Sequence, residues 1–128
     1  MNRPLRFRVL LVGIALVVVV AAAVIQRRYI TTVTEAKEMV LRDDLSTMRS
    51  VIHQYTLDKR RAPQSLQDLV SAGYLKSVPK DPFTNSPDTW RTTPDNDLMD
   101  PNPGPPGITD VHSGARGSGS NGKPYSSW

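Results

Sequence analysis

Residues 9–25 run for seventeen positions without a charged or strongly polar side chain. As a helix this run would be about 26 Å long at 1.5 Å per residue, a little short of a roughly 30 Å hydrocarbon layer. Arg8 and Arg27 flank it, and their alkyl stems let the charged heads reach past the apolar zone. The pattern then changes. Residues 29–58 contain no Gly and no Pro, and Leu41, Leu45, Met48, Ile52 and Tyr55 recur at spacings of three and four, which is one face of a helix. Val33, Lys37 and Val40 carry that stripe less cleanly back towards the apolar run. The pairs Glu35–Lys37 and Glu38–Arg42 suit the solvated opposite face, Glu38 lying four residues before Arg42 as helical ion pairs prefer. Joined unbroken, the two stretches predict one helix of about fifty residues, roughly 75 Å long.

Lys59-Arg60-Arg61 and then Pro63 end that helix near residue 58, because proline cannot supply the next N–H. Ser65-Leu66-Gln67-Asp68 reads as a capping box for a short second helix over about 65–72, with Leu66, Leu69 and Val70 inward and Gly73 as its stop. Tyr74 and Leu75 are expected to pack back on the long helix. Eight of the eleven prolines lie between residues 78 and 106, which leaves room for one short strand around residues 89–93. Asp95, Asp97 and Asp100 mark an acidic, solvated loop. Residues 108–112 alternate and predict a second strand. A Gly/Ser loop over 114–122 follows, and the closing Trp128 is expected to tuck into the domain. The predicted class is therefore α+β: a long N-terminal transmembrane and amphipathic helix packed on a small antiparallel sheet, with a short second helix and Pro/Gly-rich loops.

Composition narrows the function. The chain has 128 residues, room for one folded domain. It has no cysteine, which excludes a disulfide framework, a thiolate zinc site and a cysteine nucleophile. The net charge of +4 is confined to the start: residues 1–28 hold five arginines and no acid, while the other hundred carry 11 basic against 12 acidic side chains. Nucleic-acid binding needs basic residues clustered on the folded part, so nucleic acid is not expected as a partner. The same asymmetry orients the apolar helix. Arg3, Arg6 and Arg8 outweigh Arg27 and Arg28, which are soon offset by Glu35 and Glu38, so the positive-inside rule places residues 1–8 in the cytoplasm and residues 26–128 outside. A cleaved signal peptide is the alternative, with Ala21-Ala22-Ala23 supplying the small residues of a cut after Ala23 and releasing a soluble periplasmic binding or adaptor module. The length of the run and the lack of a helix breaker favour the anchor.

Catalytic candidates fail on geometry. Asp110, His112 and Ser113 are the residue types of a hydrolase triad, but on a strand Ser113 faces away from the other two. No G-x-S-x-G, Walker loop or dinucleotide fingerprint occurs. His53 reads as helix surface, and His112 as a turn residue bonding local backbone. The aspartates from Asp81 to Asp110 are a candidate calcium loop, but they lack EF-hand spacing and read first as a solvated acidic stretch. The chain is read as a non-enzyme.

Several strings together resemble the type II secretion major pseudopilins and, more widely, the type IV pilins. They are Glu38-Met39-Val40-Leu41-Arg42-Asp43-Asp44-Leu45, Tyr55-Thr56-Leu57-Asp58-Lys59 before Ala62-Pro63, and Leu66-Gln67-Asp68-Leu69-Val70. Gly73-Tyr74-Leu75, Val78-Pro79-Lys80-Asp81-Pro82-Phe83, Gly107-Ile108-Thr109-Asp110-Val111-His112-Ser113-Gly114 and the stretch from Asn121 to Trp128 complete the order. The resemblance covers about residues 29–128. It implies a filament subunit of the bacterial inner membrane, with apolar helices bundled, the C-terminal domain in the periplasm, and no catalysis by the subunit. Implied partners are other pseudopilins or a second copy, the inner-membrane secretion platform and the outer-membrane channel. Leu10, Leu11, Ile14, Leu16, Val17, Val20 and Val24 would be the lipid and bundle surface, and Leu41, Leu45, Met48, Ile52 and Tyr55 would hold the sheet to the helix.

The departures from the family pattern sit near the N-terminus. Phe7 follows Arg6 where the family has glycine, Leu10 or Leu11 stands at the family's glutamate position, and Arg27 replaces a proline. The family's buried pairing of that glutamate with a neighbour's amine is not available here, which fits an unprocessed accessory subunit. Calcium is the one cofactor the resemblance implies. Ala115, Arg116 and Asn121 at the family's acidic positions weigh against it, since Arg116 repels a cation.

Overall fold

The computed structural model describes residues 3–95 and 105–128, so Asp97 and Asp100 of the expected acidic loop lie outside the described residues. Helix α1 spans Arg3–Lys59 and α2 spans Leu66–Ser71; strands β1 (Arg91–Pro94) and β2 (Ile108–His112) follow, and a single 3₁₀ turn, Tyr125–Ser127, precedes the end. The chain divides into two compact units, Met1–Ala36 and Lys37–Trp128, with the boundary inside α1. The α+β class is as expected, with a long apolar helix, a short helix and a two-stranded antiparallel sheet.

In the first unit every residue of the 9–25 run is exposed. Past it, the Thr31 and Thr32 hydroxyls donate to the carbonyls of Arg27 and Arg28 one turn back, satisfying polar side chains without leaving the helix.

In the second unit the stripe read from spacing is the core. Leu41, Leu45, Met48, Ile52 and Tyr55 are buried and cluster with Leu69, Trp90, Ile108, Val111, Ala115 and Tyr125. Arg60, at φ 58°, ends α1 in the left-handed conformation. The Ser65 hydroxyl accepts from the Asp68 N–H, and Asp68 Oδ2 accepts from the Gln64 N–H, the reciprocal bonds of a capping box shifted by one residue. Gly73, at φ 83°, turns the chain out of α2. Tyr74 then packs edge-on against Tyr55 and donates to Asp58, and Leu75 packs against the core, both as expected.

The sheet differs from the expectation in two ways. The first strand begins two residues late, at Arg91, because Trp90 is drawn into the core with its indole N–H donating to the Pro79 carbonyl. The second strand does not alternate strictly. Its register pairs Thr93 with Asp110 but Pro94 with Ile108, leaving Thr109 as an extra residue. A bulge of this kind shifts the inward face by one position, so Ile108 and Val111 are both buried, three apart. Beyond β2, Gly114 passes so close to Thr89 that a methyl group there would overlap the Thr89 carbonyl.

Candidate functional site

Two places on the molecule concentrate unusual physical chemistry. The first is the apolar surface of α1. Leu10, Leu11, Ile14, Leu16, Val17, Val20 and Val24 are between 49% and 67% exposed. By length and composition this stretch is able to cross a membrane. Apolar area at about 25 cal/mol per Å² makes such a surface costly to leave in water.

The second place is where the C-terminal segment meets α1 within the folded unit. Glu38 was expected on the solvated face; it is instead 3% exposed. The reason is the step of three: Glu38 precedes Leu41 by one turn, so it continues the inward stripe. Its carboxylate accepts from the Ser120 N–H at 2.8 Å, the Ser120 hydroxyl at 2.5 Å and the Tyr125 hydroxyl at 3.2 Å. Arg42 lies 4.0 Å away. The Ser120 hydroxyl bond is the chief influence on this carboxyl; burial opposes it, and the Ser120 N–H, Tyr125 and Arg42 add to it, holding the group below the ordinary glutamate range. Burial, then the bond to Glu38, pushes the Tyr125 phenol up.

Two turns on from Arg42, Arg49 makes the other tie. Its Nε donates to Asp110 Oδ1 at 2.6 Å, and its Nη2 donates to the carbonyls of Val111 and Trp128, each at 2.8 Å. Burial tends to raise the Asp110 carboxyl, but the Arg49 bond, the Val111 N–H and the charges of Arg49 and His112 outweigh it and hold the group below its usual value. His112 was expected to bond local backbone. It lies on β2 instead, with Nδ1 2.7 Å from the Trp128 carbonyl and Nε2 3.3 Å from Asp110 Oδ2, because the bulged strand directs it at the returning C-terminal segment. Trp128 is half-buried, edge-on to Tyr125, with the Arg42 guanidinium 4.5 Å from its ring centre. The expectation that the terminal aromatic tucks in is met.

The triad residues are separated as strand geometry requires. Asp110 and His112 share a face, while Ser113 is fully buried and donates to Asp81 Oδ2. Asp81 is also fully buried, and its Oδ1 accepts from the Phe83 and Thr84 N–H groups. It is therefore a turn-former, and Asp110 is Arg49's partner. No group of three or more potential metal-ligating side chains occurs among the described residues. Ala115 is buried in the core and Arg116 is exposed, and the loop they open is pinned by the Glu38 carboxylate. His53 is exposed on α1, as read from the sequence.

Glu38 and Arg49 are the residues that sequence reasoning missed. Continuing the 41/45/48/52/55 stripe back by three positions would have found Glu38; nothing local to Arg49 announces partners more than sixty residues away. No family model, no curated protein and no solved structure matches this chain.

Proposed function

We propose that this protein is a pseudopilin-like structural subunit of a type II secretion or type IV pilus-like machine. It is anchored once in the bacterial inner membrane, N-terminus inward, and supports export by helix-bundle assembly. The observation that carries the reading is the uncovered apolar surface of residues 9–25, exposed all around the helix. Lipid and other apolar helices are the two environments that satisfy such a surface. The order of motifs from Glu38 to Trp128 supports the same reading, and so does the stripe of Leu41, Leu45, Met48, Ile52 and Tyr55 that fastens the helix to the β end. The helix bundle would be the working part, with the second unit presented to periplasmic partners.

Because the chain has no native cysteine, introduced cysteines are the only thiols available for crosslinking. Single cysteines at Ile14, Val17 or Val20 should form oxidative crosslinks in cells expressing the whole machine, to a second copy or to another pseudopilin carrying a cysteine at the matching depth. Absence of any such product at all three positions, with the protein present in membranes, would rule the assembly reading out. An intact mass lacking residues 1–23 would do so as well, and would point to a released periplasmic module.

A further inference from the structure

Outside the ties just described, one groove in the folded unit has no assigned use. It has a volume of about 440 Å³ and lies between α1 and the C-terminal segment. Arg42, Ser46 and Arg49 form one wall, at spacings of four and three that bring them to a single helix face; Asn121, Lys123 and Ser127 contribute from the other side. Among the described residues, no Asp or Glu side chain lines it. Behind the walls, Glu38 lies 4.0 Å from Arg42 but is held by Ser120 and Tyr125, and Asp110 pairs with the Nε side of Arg49.

The groove is rich in donors. Arg49 uses Nε and Nη2 in its three bonds, so the remaining guanidinium nitrogen has donors to spare. The Arg42 guanidinium sits 4.5 Å from the Trp128 ring centre and is more than half exposed, its contact with Glu38 being a long one of 4.0 Å. The side-chain carbonyl of Asn121 accepts from the Lys123 N–H, which turns its amide nitrogen to other uses. Trp128, at the groove, carries a buried indole N–H with no acceptor among the described residues. Three cations and several N–H and O–H donors on opposing walls suit a small anion with acceptors in several directions. A tetrahedral oxyanion has that shape, whereas a planar carboxylate engages one fork at a time.

We propose that this groove binds a phosphate-type oxyanion, either free phosphate or the head of a phosphate monoester, through Arg42, Arg49 and Lys123. The inference does not depend on the filament reading and would hold for a released periplasmic domain equally.

The test is calorimetric titration of the full chain in nonionic detergent, first with inorganic phosphate and then with glycerol phosphate, at low and at physiological salt. Saturable binding is expected, weakening as salt rises. Lys123→Ala and Ser46→Ala change exposed side chains that carry no core packing, so both should fold. Lys123→Ala should weaken binding about 5- to 10-fold, the scale of one lost charge-assisted hydrogen bond. Lys76→Ala, at an exposed position away from the groove, should change nothing. Equal affinity for the ester assigns a headgroup or other organic phosphate as ligand, and preference for the inorganic ion assigns free phosphate. Failure to saturate below about 10 mM, or an equal loss in Lys76→Ala and Lys123→Ala, would overturn the proposal.

Discussion

At the scale of single residues, Glu38 decides most. A carboxylate removed from water is costly unless hydrogen bonds replace its hydration, and here Ser120 and Tyr125 supply three. Its lowered pKa in the fold has a definite sign. The ionised form is favoured in the native state, so the stabilisation is fully present above about pH 4.5, the ordinary glutamate range, and is lost as pH falls through the lower folded-state value. Glu38→Gln should therefore lower stability at neutral pH by about 1–3 kcal/mol, since it removes a charged acceptor. The gap to the parent should close as pH falls towards 3. Urea melts at pH 7 and pH 3 check this; a gap independent of pH would mean that the charge is not what holds Ser120.

At the scale of elements, the question is what joins a helix to a sheet of two strands among the described residues. The apolar stripe of α1 supplies the area, but β1 is exposed along its whole length, so β2 must carry the attachment. Ile108 and Val111 do so because the bulge at Thr109 brings both inward. Arg49 then bridges α1, β2 and the last residue with one guanidinium. Arg49→Met keeps much of the stem's packing and removes the fork. It should cost about 1–2 kcal/mol, because the group is partly solvated and its ion pair is screened. Amide hydrogen exchange locates the effect: protection should fall in β2 and the 125–127 turn and stay unchanged in α2. Loss spread evenly over all elements would show that Arg49 acts through global stability alone.

At the scale of the whole molecule, the apolar run of residues 9–25 sets behaviour. A helix with that surface should remain with membranes through an alkaline carbonate wash, while Ile14→Asp combined with Val18→Asp should release a large part of the protein. Each charge costs roughly 2.5–3.5 kcal/mol at a membrane centre. On the proposed anchored reading, the arginine asymmetry would set the N-terminus inward. A reporter enzyme active only in the periplasm should work when fused after Trp128, and replacing Arg3, Arg6 and Arg8 with Glu should reduce its activity. Full activity in that variant would remove the charge argument for orientation.

What was legible in the sequence was whatever depends on residues near one another along the chain. The apolar run, the helical stripe from Leu41 to Tyr55, the Ser65 cap and the Gly73 stop all follow from periodicity and local hydrogen bonding, which a linear string records directly. The α+β class followed from them. What only the tertiary structure decided involves partners brought together from distant positions. The burial of Glu38 depends on Ser120 and Tyr125 reaching it, and the place of His112 depends on the return of Trp128. The inward pair Ile108 and Val111 depends on a bulge set by the opposite strand, and the groove between Arg42, Arg49 and Lys123 exists only because the C-terminal segment folds back on α1. A charged side chain on a helix reads as solvated unless its neighbours in space are known, and those neighbours are fixed by chain closure, which leaves no local mark in the sequence.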